Sequence, residues 1–421
     1  MSAAPTAAPV APRAEPSAAY LMLVLAASLV VQTGASFASQ ALAPLAPFLQ
    51  AELGLSRAAF GLLTTAVYLG SLFSLVPAGG LCDRLGARPL FLLGPLVLAA
   101  ALGAGALGGT YPVLLAALAL AGVANGVSLP PTTRAIVDWF PPARRGLPMG
   151  IKQTGVALAG TIAALVAPPL ALTLGGWRGA LATLGLLTAA GGALAWLGYR
   201  DPPIPTGRAT VQAAAGTRHL LRNRPLVLLC AASFVLAAVQ LSFVSFLVLL
   251  LRDRLGLAPG DGARLLALAQ ASGVVGRVVW GGVSDRLFQG HHRRALLCIA
   301  LVAAGCLVGL SLAEPGTPAG LLALLVALAG ASAIGWNGVS MLYVAALAGH
   351  QQAARAAGLN LTCCHLGIVL APPLFGALVD ATGSYPLALR LLAGGSLLAA
   401  ALLAAIRPAA TGPASATSER L

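Results

Sequence analysis

Gly79-Gly80-Leu81-Cys82-Asp83-Arg84-Leu85-Gly86-Ala87-Arg88 returns later in the chain as Gly281-Gly282-Val283-Ser284-Asp285-Arg286-Leu287, an offset of 202 residues between the two aspartates. Two copies imply two halves. Each copy follows one long apolar run and precedes another, so each reads as a tight, charged loop joining two helices on one side of a bilayer. The glycines let two helices turn sharply and approach closely. The aspartate suits backbone N–H groups at a helix end, and the arginines hold the loop on the side where positive charge is retained.

Composition agrees. The chain has 421 residues, 58% hydrophobic and 9% charged, too few charges to cover a soluble surface of that size. Apolar runs of about 20 residues match the ~30 Å hydrocarbon core as helices, and the alternation of a porin strand is absent. The fold class is therefore an all-α membrane protein in the lipid bilayer, with twelve transmembrane helices in two six-helix pseudo-symmetric halves.

Residues 1–18, rich in Ala and Pro and without a signal-peptide pattern, are expected to form a disordered cytoplasmic tail. A six-helix bundle is expected over 19–199, a cytoplasmic linker over 200–224, a second bundle over 225–406 and a tail over 407–421. The first helix is placed at 19–42, the second at 58–78, the tenth at 319–346 and the eleventh at 356–379. Pro168-Pro169-Leu170 recurs as Pro372-Pro373-Leu374 after 204 residues, close to the aspartate offset. Such internal repeats suit carriers that rock two halves around a central site.

The basic residues set the orientation. With the start of the chain inside, seventeen cations, including the five arginines of the linker and Lys152, fall in cytoplasmic segments and six in outer ones. Both termini are then cytoplasmic. Outer loops too short to be domains point to a bacterial inner (plasma) membrane.

Several chemistries are excluded. The net charge of +14 comes from arginines scattered among hydrophobic spans, with no aromatic and basic stripe for nucleic acid. No phosphate loop is present, and Lys152 is the sole lysine. No nucleophile motif, zinc motif or carboxylate pair appears, so no enzyme and no cofactor is expected. The six cysteines lack metal-ligand spacing and read as small packing residues.

The paired Gly-Gly-x-x-Asp-Arg-Leu stretches resemble the loop 2-3 signature of the major facilitator superfamily and its counterpart between helices 8 and 9, although Ala87 sits where a basic residue is usual. The resemblance covers about 20–407. It implies alternating-access transport of a small-molecule substrate by a monomer. It also implies a charge cluster at the inner end of helix 4 that latches the outward-open state, which assigns gating to Asp83, Arg84, Arg88 and Asp138, with Asp285 and Arg286 in the second copy. Arg134 stands one turn before Asp138, an i,i+4 pairing distance, and is read as gating rather than substrate-binding. Gly276-Arg277-Val278-Val279-Trp280-Gly281 is similar to helix 8 of monocarboxylate and oxalate–formate carriers, where an arginine serves a carboxylate substrate. The stretch from Trp139 to Gly155 resembles the loop 4-5 region of nitrate and cyanate-type carriers.

All eleven acidic residues fall in tails, loops or helix ends. Cationic cargo would therefore lack an anionic partner at depth. This departs from the drug–proton exporters of the superfamily, so a small organic or inorganic anion is the expected cargo and export of drugs or metabolites the alternative. Arg277 lies about 10 Å from the inner end of helix 8, where it either snorkels and braces Asp285 or meets an anion. His365, about 15 Å into helix 11, is a core histidine or the best-placed carrier of a coupled proton. Gln32, Trp336 and Asn337 fall at cavity depth, where packing would explain them equally well.

Overall fold

A computed structural model of the protein describes residues 17–141, 144–202, 217–349 and 352–406. Residues 1–16 of the expected tail 1–18, the tail 407–421, most of the linker, and His350 lie outside the described residues, while Ser17 and Ala18 already cap and begin the first helix. Among the described residues twelve helices are long and apolar enough to cross a membrane: Ala18–Leu53, Arg57–Leu85, Arg88–Gly108, Tyr111–Trp139, Gly146–Thr173, Trp177–Gly198, Arg224–Leu255, Pro259–Leu287, His292–Ser311, Ala319–Ala348, Arg355–Thr382 and Tyr385–Ala404. No strand occurs among the described residues. The linker holds a short helix, Thr217–Arg222.

Local chemistry sets the ends. Ser17, Ser56 and Ser384 cap the first, second and twelfth spans, their hydroxyls accepting the N–H groups of Tyr20, Ala59 and Leu387. Gly54, Gly109, Gly256 and Gly383 close four spans in the left-handed conformation. Three spans are broken, at Ala41, at Thr154 and between Ala333 and Asn337, and the first, expected to end at 42, continues past its break to Leu53. The first break precedes Pro44, which has no N–H to donate.

The first signature copy is not a loop. The second span stays helical through Leu85, and the turn is confined to Gly86 and Ala87. Gly86 has φ +85°, and a Cβ there would lie 2.4 Å from Asp201 Oδ2. Asp201, just beyond the sixth span, accepts the N–H groups of Ala87 (2.9 Å) and Arg88 (3.2 Å), capping the third span from outside it. The second copy has Phe288 where the first has Gly86, so it cannot turn there without strain. It winds instead into a π-helical turn, Val283–Leu287, and reverses at Gln289 and Gly290. The paired glycines do not bring helices together either. A Cβ at Gly79, Gly80, Gly281 or Gly282 meets nothing within 4 Å.

Close approach occurs elsewhere. A Cβ at Gly122 would stand 2.0 Å from the Val67 carbonyl oxygen, and one at Gly126 2.0 Å from Ser74 Oγ. Gly70 faces the Ala119 carbonyl oxygen at 2.1 Å in the same sense, so the second and fourth spans touch backbone to backbone. Between the halves, Cβ atoms at Gly61 and Gly376 would lie 2.6 Å from the Pro372 backbone and 2.2 Å from the Arg57 carbonyl oxygen. These contacts pin the second span to the eleventh at the end opposite the signatures.

Gly122→Leu is accordingly expected to lower the thermal midpoint of the purified protein, by an overpacking cost of about 1–3 kcal/mol. Gly103→Ala, where nothing stands within 4 Å, should leave the midpoint unchanged or raise it. Equal midpoints for the two variants would contradict the packing.

Candidate functional site

A cavity of about 40 Å³ lies between the halves. Gln40, Tyr68 and Val156 line it from the first half, and Gln240, Gln270, Arg277 and Ile334 from the second. Among the described residues Arg277 is the one charged residue in the lining. Gln270 Nε2 donates to Gln40 Oε1 at 3.2 Å, and Gln40 Nε2 donates to the Val156 carbonyl at 3.3 Å, so two amides bridge the first, fifth and eighth spans. Gly160 makes room for this bridge, since a Cβ there would stand 2.2 Å from Gln270 Nε2.

Arg277 reaches across the interface. Its Nη1 donates to the Gln153 carbonyl at 3.3 Å, while its Nε is buried without a partner. No carboxylate within 4.0 Å faces it among the described residues, Asp285 included. The expected brace to Asp285 is therefore not formed here. An arginine held at depth by one carbonyl retains donors in a planar fork for a carboxylate, sulfonate or phosphate.

The other expected site residues separate. Trp336 Nε1 and Asn337 Nδ2 both donate to Gln240 Oε1, at 2.9 and 3.1 Å, from the break in the tenth span. They position a lining residue. Gln32 is 1% exposed and packs against the fifth span, its Oε1 without a partner. His365 is half-buried outside the lining, its Nδ1 2.8 Å from the Leu361 carbonyl.

The charge cluster at the signature end forms around Arg134. Its Nε meets Asp138 Oδ2 at 3.2 Å, and its Nη1 meets Asp83 Oδ1 at 3.4 Å and the Cys82 carbonyl at 2.6 Å. Arg84, expected in this cluster, is exposed, and Arg88 turns away to the Trp196 carbonyl and ring. Asp285 and Arg286 are exposed on the π-helical turn. At the opposite end Arg57 donates to Asp253 at 2.8 Å and to Tyr385 at 2.9 Å, while Asp380 accepts the N–H groups of Arg57 and Ala58. Arg252 donates to Gln50 Oε1 at 2.8 Å. These bonds join the two halves.

The sequence reading left four polar lining residues and one cation out of the site. Gln40, Gln240 and Gln270 are visible as glutamines inside apolar runs, which is a sufficient signal, but Tyr68 gives none. Lys152, expected in a cytoplasmic segment, is instead 3% exposed within the fifth span. Its Nζ donates to Thr133 Oγ1 at 2.8 Å, and no carboxylate pairs with it among the described residues.

The family model for the Major Facilitator Superfamily matches residues 28–372. An uncharacterised MFS-type transporter of Mycobacterium tuberculosis is 30% identical over 370 residues, covering 87% of this chain and 79% of its own length. The probable sulfoacetate transporter of Cupriavidus necator is 26% identical, covering 86% and 87%. In overall fold the chain is similar to the crystal structure of a bacterial homolog of the human lysosomal transporter Spinster in an inward-facing, occupied conformation. The TM-score is 0.78 at 18% identity, over 92% of this chain and 97% of that one. With twelve spans in two halves around a polar cavity, the chain belongs to the Major Facilitator Superfamily and is a secondary transporter of a small molecule.

Proposed function

We propose that the cargo is a small organic or inorganic anion, bound in the cavity between the halves by the Arg277 guanidinium. One observation carries this: among the described residues, the only charge in the lining is a cation that no carboxylate compensates. A buried charge is costly unless paired, and a transported anion is the partner this site lacks. The likeness to a probable sulfoacetate transporter points the same way. A cationic drug would find no carboxylate in this lining, which disfavours drug export. The family match and the likeness to transporters support a carrier rather than an enzyme.

The arginine distribution supports a cytoplasmic signature end in a bacterial inner membrane. On that orientation the bonds of Arg57 and Arg252 seal the outer end, and Arg134 with Asp83 and Asp138 serves the inner gate. The carrier works as a monomer.

Arg277→Lys keeps a point charge but loses the bidentate fork. It should weaken anion binding, and Arg277→Ala should weaken it further, by about 1.5–3 kcal/mol, or roughly ten- to a hundredfold. Half-saturation in proteoliposomes and direct binding check this. Cationic cargo, or parental affinity for an anion in both variants, would remove Arg277 from the site.

The gate makes a graded prediction. The Asp138 side chain is 3% exposed and that of Asp83 59%. Asp138→Asn should therefore destabilise by about 1–3 kcal/mol, and Asp83→Asn by less than about 1 kcal/mol. Asp83→Asn should still slow transport at equal membrane expression, because gating depends on small population shifts. Thermal midpoints and initial uptake rates separate the two effects, and full transport in Asp83→Asn would count against a gating role.

A further inference from the structure

Glutamines line the cavity between the halves beside Arg277, and the direction each amide faces is fixed by a partner that works only one way. The indole N–H of Trp336 can only donate, and it meets Gln240 Oε1 at 2.9 Å. Asn337 Nδ2 meets the same oxygen at 3.1 Å. Gln240 therefore turns its carbonyl to the break in the tenth span and keeps both N–H groups of Nε2 for another partner. No described residue accepts from them.

The second amide chain runs the opposite way. The Val156 carbonyl can only accept, so Gln40 gives it Nε2 at 3.3 Å and turns Oε1 to the eighth span. Gln270 must then offer Nε2, at 3.2 Å, and its own Oε1 is left over. No described residue donates to that oxygen. One free glutamine end in the lining is thus a donor and the other an acceptor.

Arg277 adjoins them. Gln270 and Arg277 stand seven residues apart, two turns along one face of the eighth span. Their anchors on the fifth span, the carbonyls of Val156 (through Gln40) and Gln153, are three residues apart, about 4.5 Å along a helix axis. Gln40, Gln240, Gln270 and Arg277 all line the same cavity.

We infer that Gln240 and Gln270 form a hydroxyl-binding subsite beside Arg277, so that the cargo is a hydroxylated anion. A hydroxyl both accepts and donates through one atom. It accepts from Gln240 Nε2 and donates to Gln270 Oε1, while the anionic group takes the guanidinium. An ammonium only donates and a second carboxylate only accepts, so neither serves both ends. An anion lacking the hydroxyl leaves the two amide ends without partners, which costs affinity. The inference rests on the anion reading proposed above and narrows it. Trp336 and Asn337 are positioning residues that set which end of Gln240 the cargo meets.

Matched pairs bound to the purified full chain test this. Glycolate with acetate, 3-hydroxypropionate with propionate, and isethionate with ethanesulfonate each differ by one hydroxyl at constant charge. In at least one pair the hydroxylated member should bind about tenfold tighter or more, the worth of two neutral hydrogen bonds. Gln240→Met, which keeps the length and removes both N–H groups, should cut that ratio to less than about threefold. Trp336→Phe, which removes the indole N–H and keeps a ring, should lower the ratio as well, and it serves if Gln240→Met does not fold. A merely structural role would weaken both members of a pair alike.

Ratios near one in every pair, or a parental ratio retained in both variants, overturn the hydroxyl subsite while leaving Arg277 as an anion contact. Failure of every anion to bind, or binding indifferent to Arg277→Ala, overturns the parent reading and this inference together.

Discussion

A positive charge inside an apolar bundle must find an anion or water, and the centre of this protein is arranged around one that finds neither in the protein. Arg277 crosses from the eighth span to a single carbonyl on the fifth. The surrounding groups are neutral amides already engaged with one another: Gln270 with Gln40, and Gln240 with Trp336 and Asn337. Such a shell holds the walls in place without neutralising the cation. Its amides are held at one end within the protein, while the charge and the free amide ends are left for a ligand.

The fold was legible because membrane spans announce themselves by length and apolarity, and because the two Asp-Arg-Leu copies fix the twofold repeat. The conformation of the copies was not legible. Gly79 and Gly80 look like a loop, yet in a membrane bundle glycine continues a helix readily when neighbouring turns supply the hydrogen bonds. The turn depends on Gly86 alone, and on Asp201, which stands far off in sequence and caps the third span. The two copies differ in shape because Phe288 replaces that glycine. Breaks at Thr154 and before Asn337 were hidden for a similar reason, since nothing in the local pattern marks them.

The site was legible in part. Arg277 stood out as a charge in an apolar run, and it lines the cavity. Arg134 was found by its spacing to Asp138, but its bond to Asp83 depends on how the second and fourth spans meet through Gly70, Gly122 and Gly126. Arg84 was expected there because the signature resemblance puts it in the cluster, and helical geometry instead points it away from its neighbour Asp83. Lys152 was counted among the cytoplasmic cations because it stands at the entry to the fifth span. Burial is a tertiary property, and the break at Thr154 lets the short helix Gly146–Gln153 pack against the first span.

The distribution of bonds between the halves also says what a ligand has to do. At the end opposite the signatures, Arg57 and Arg252 join the halves through Asp253, Asp380, Tyr385 and Gln50, and Gly61 and Gly376 bring backbones into contact. The ion pairs of Arg134 at the signature end stay within the first half. Opening the sealed end therefore breaks several charged hydrogen bonds, each contributing about 1.5–3 kcal/mol, whereas the pairs of Arg134 need not break for the halves to separate at the signature end. Bonds newly made at the signature end, or a ligand bound more tightly to the closed arrangement of the centre, must offset that loss. Arg277 can meet this requirement because its present contact already spans both halves, so an anion placed there acts on their separation directly.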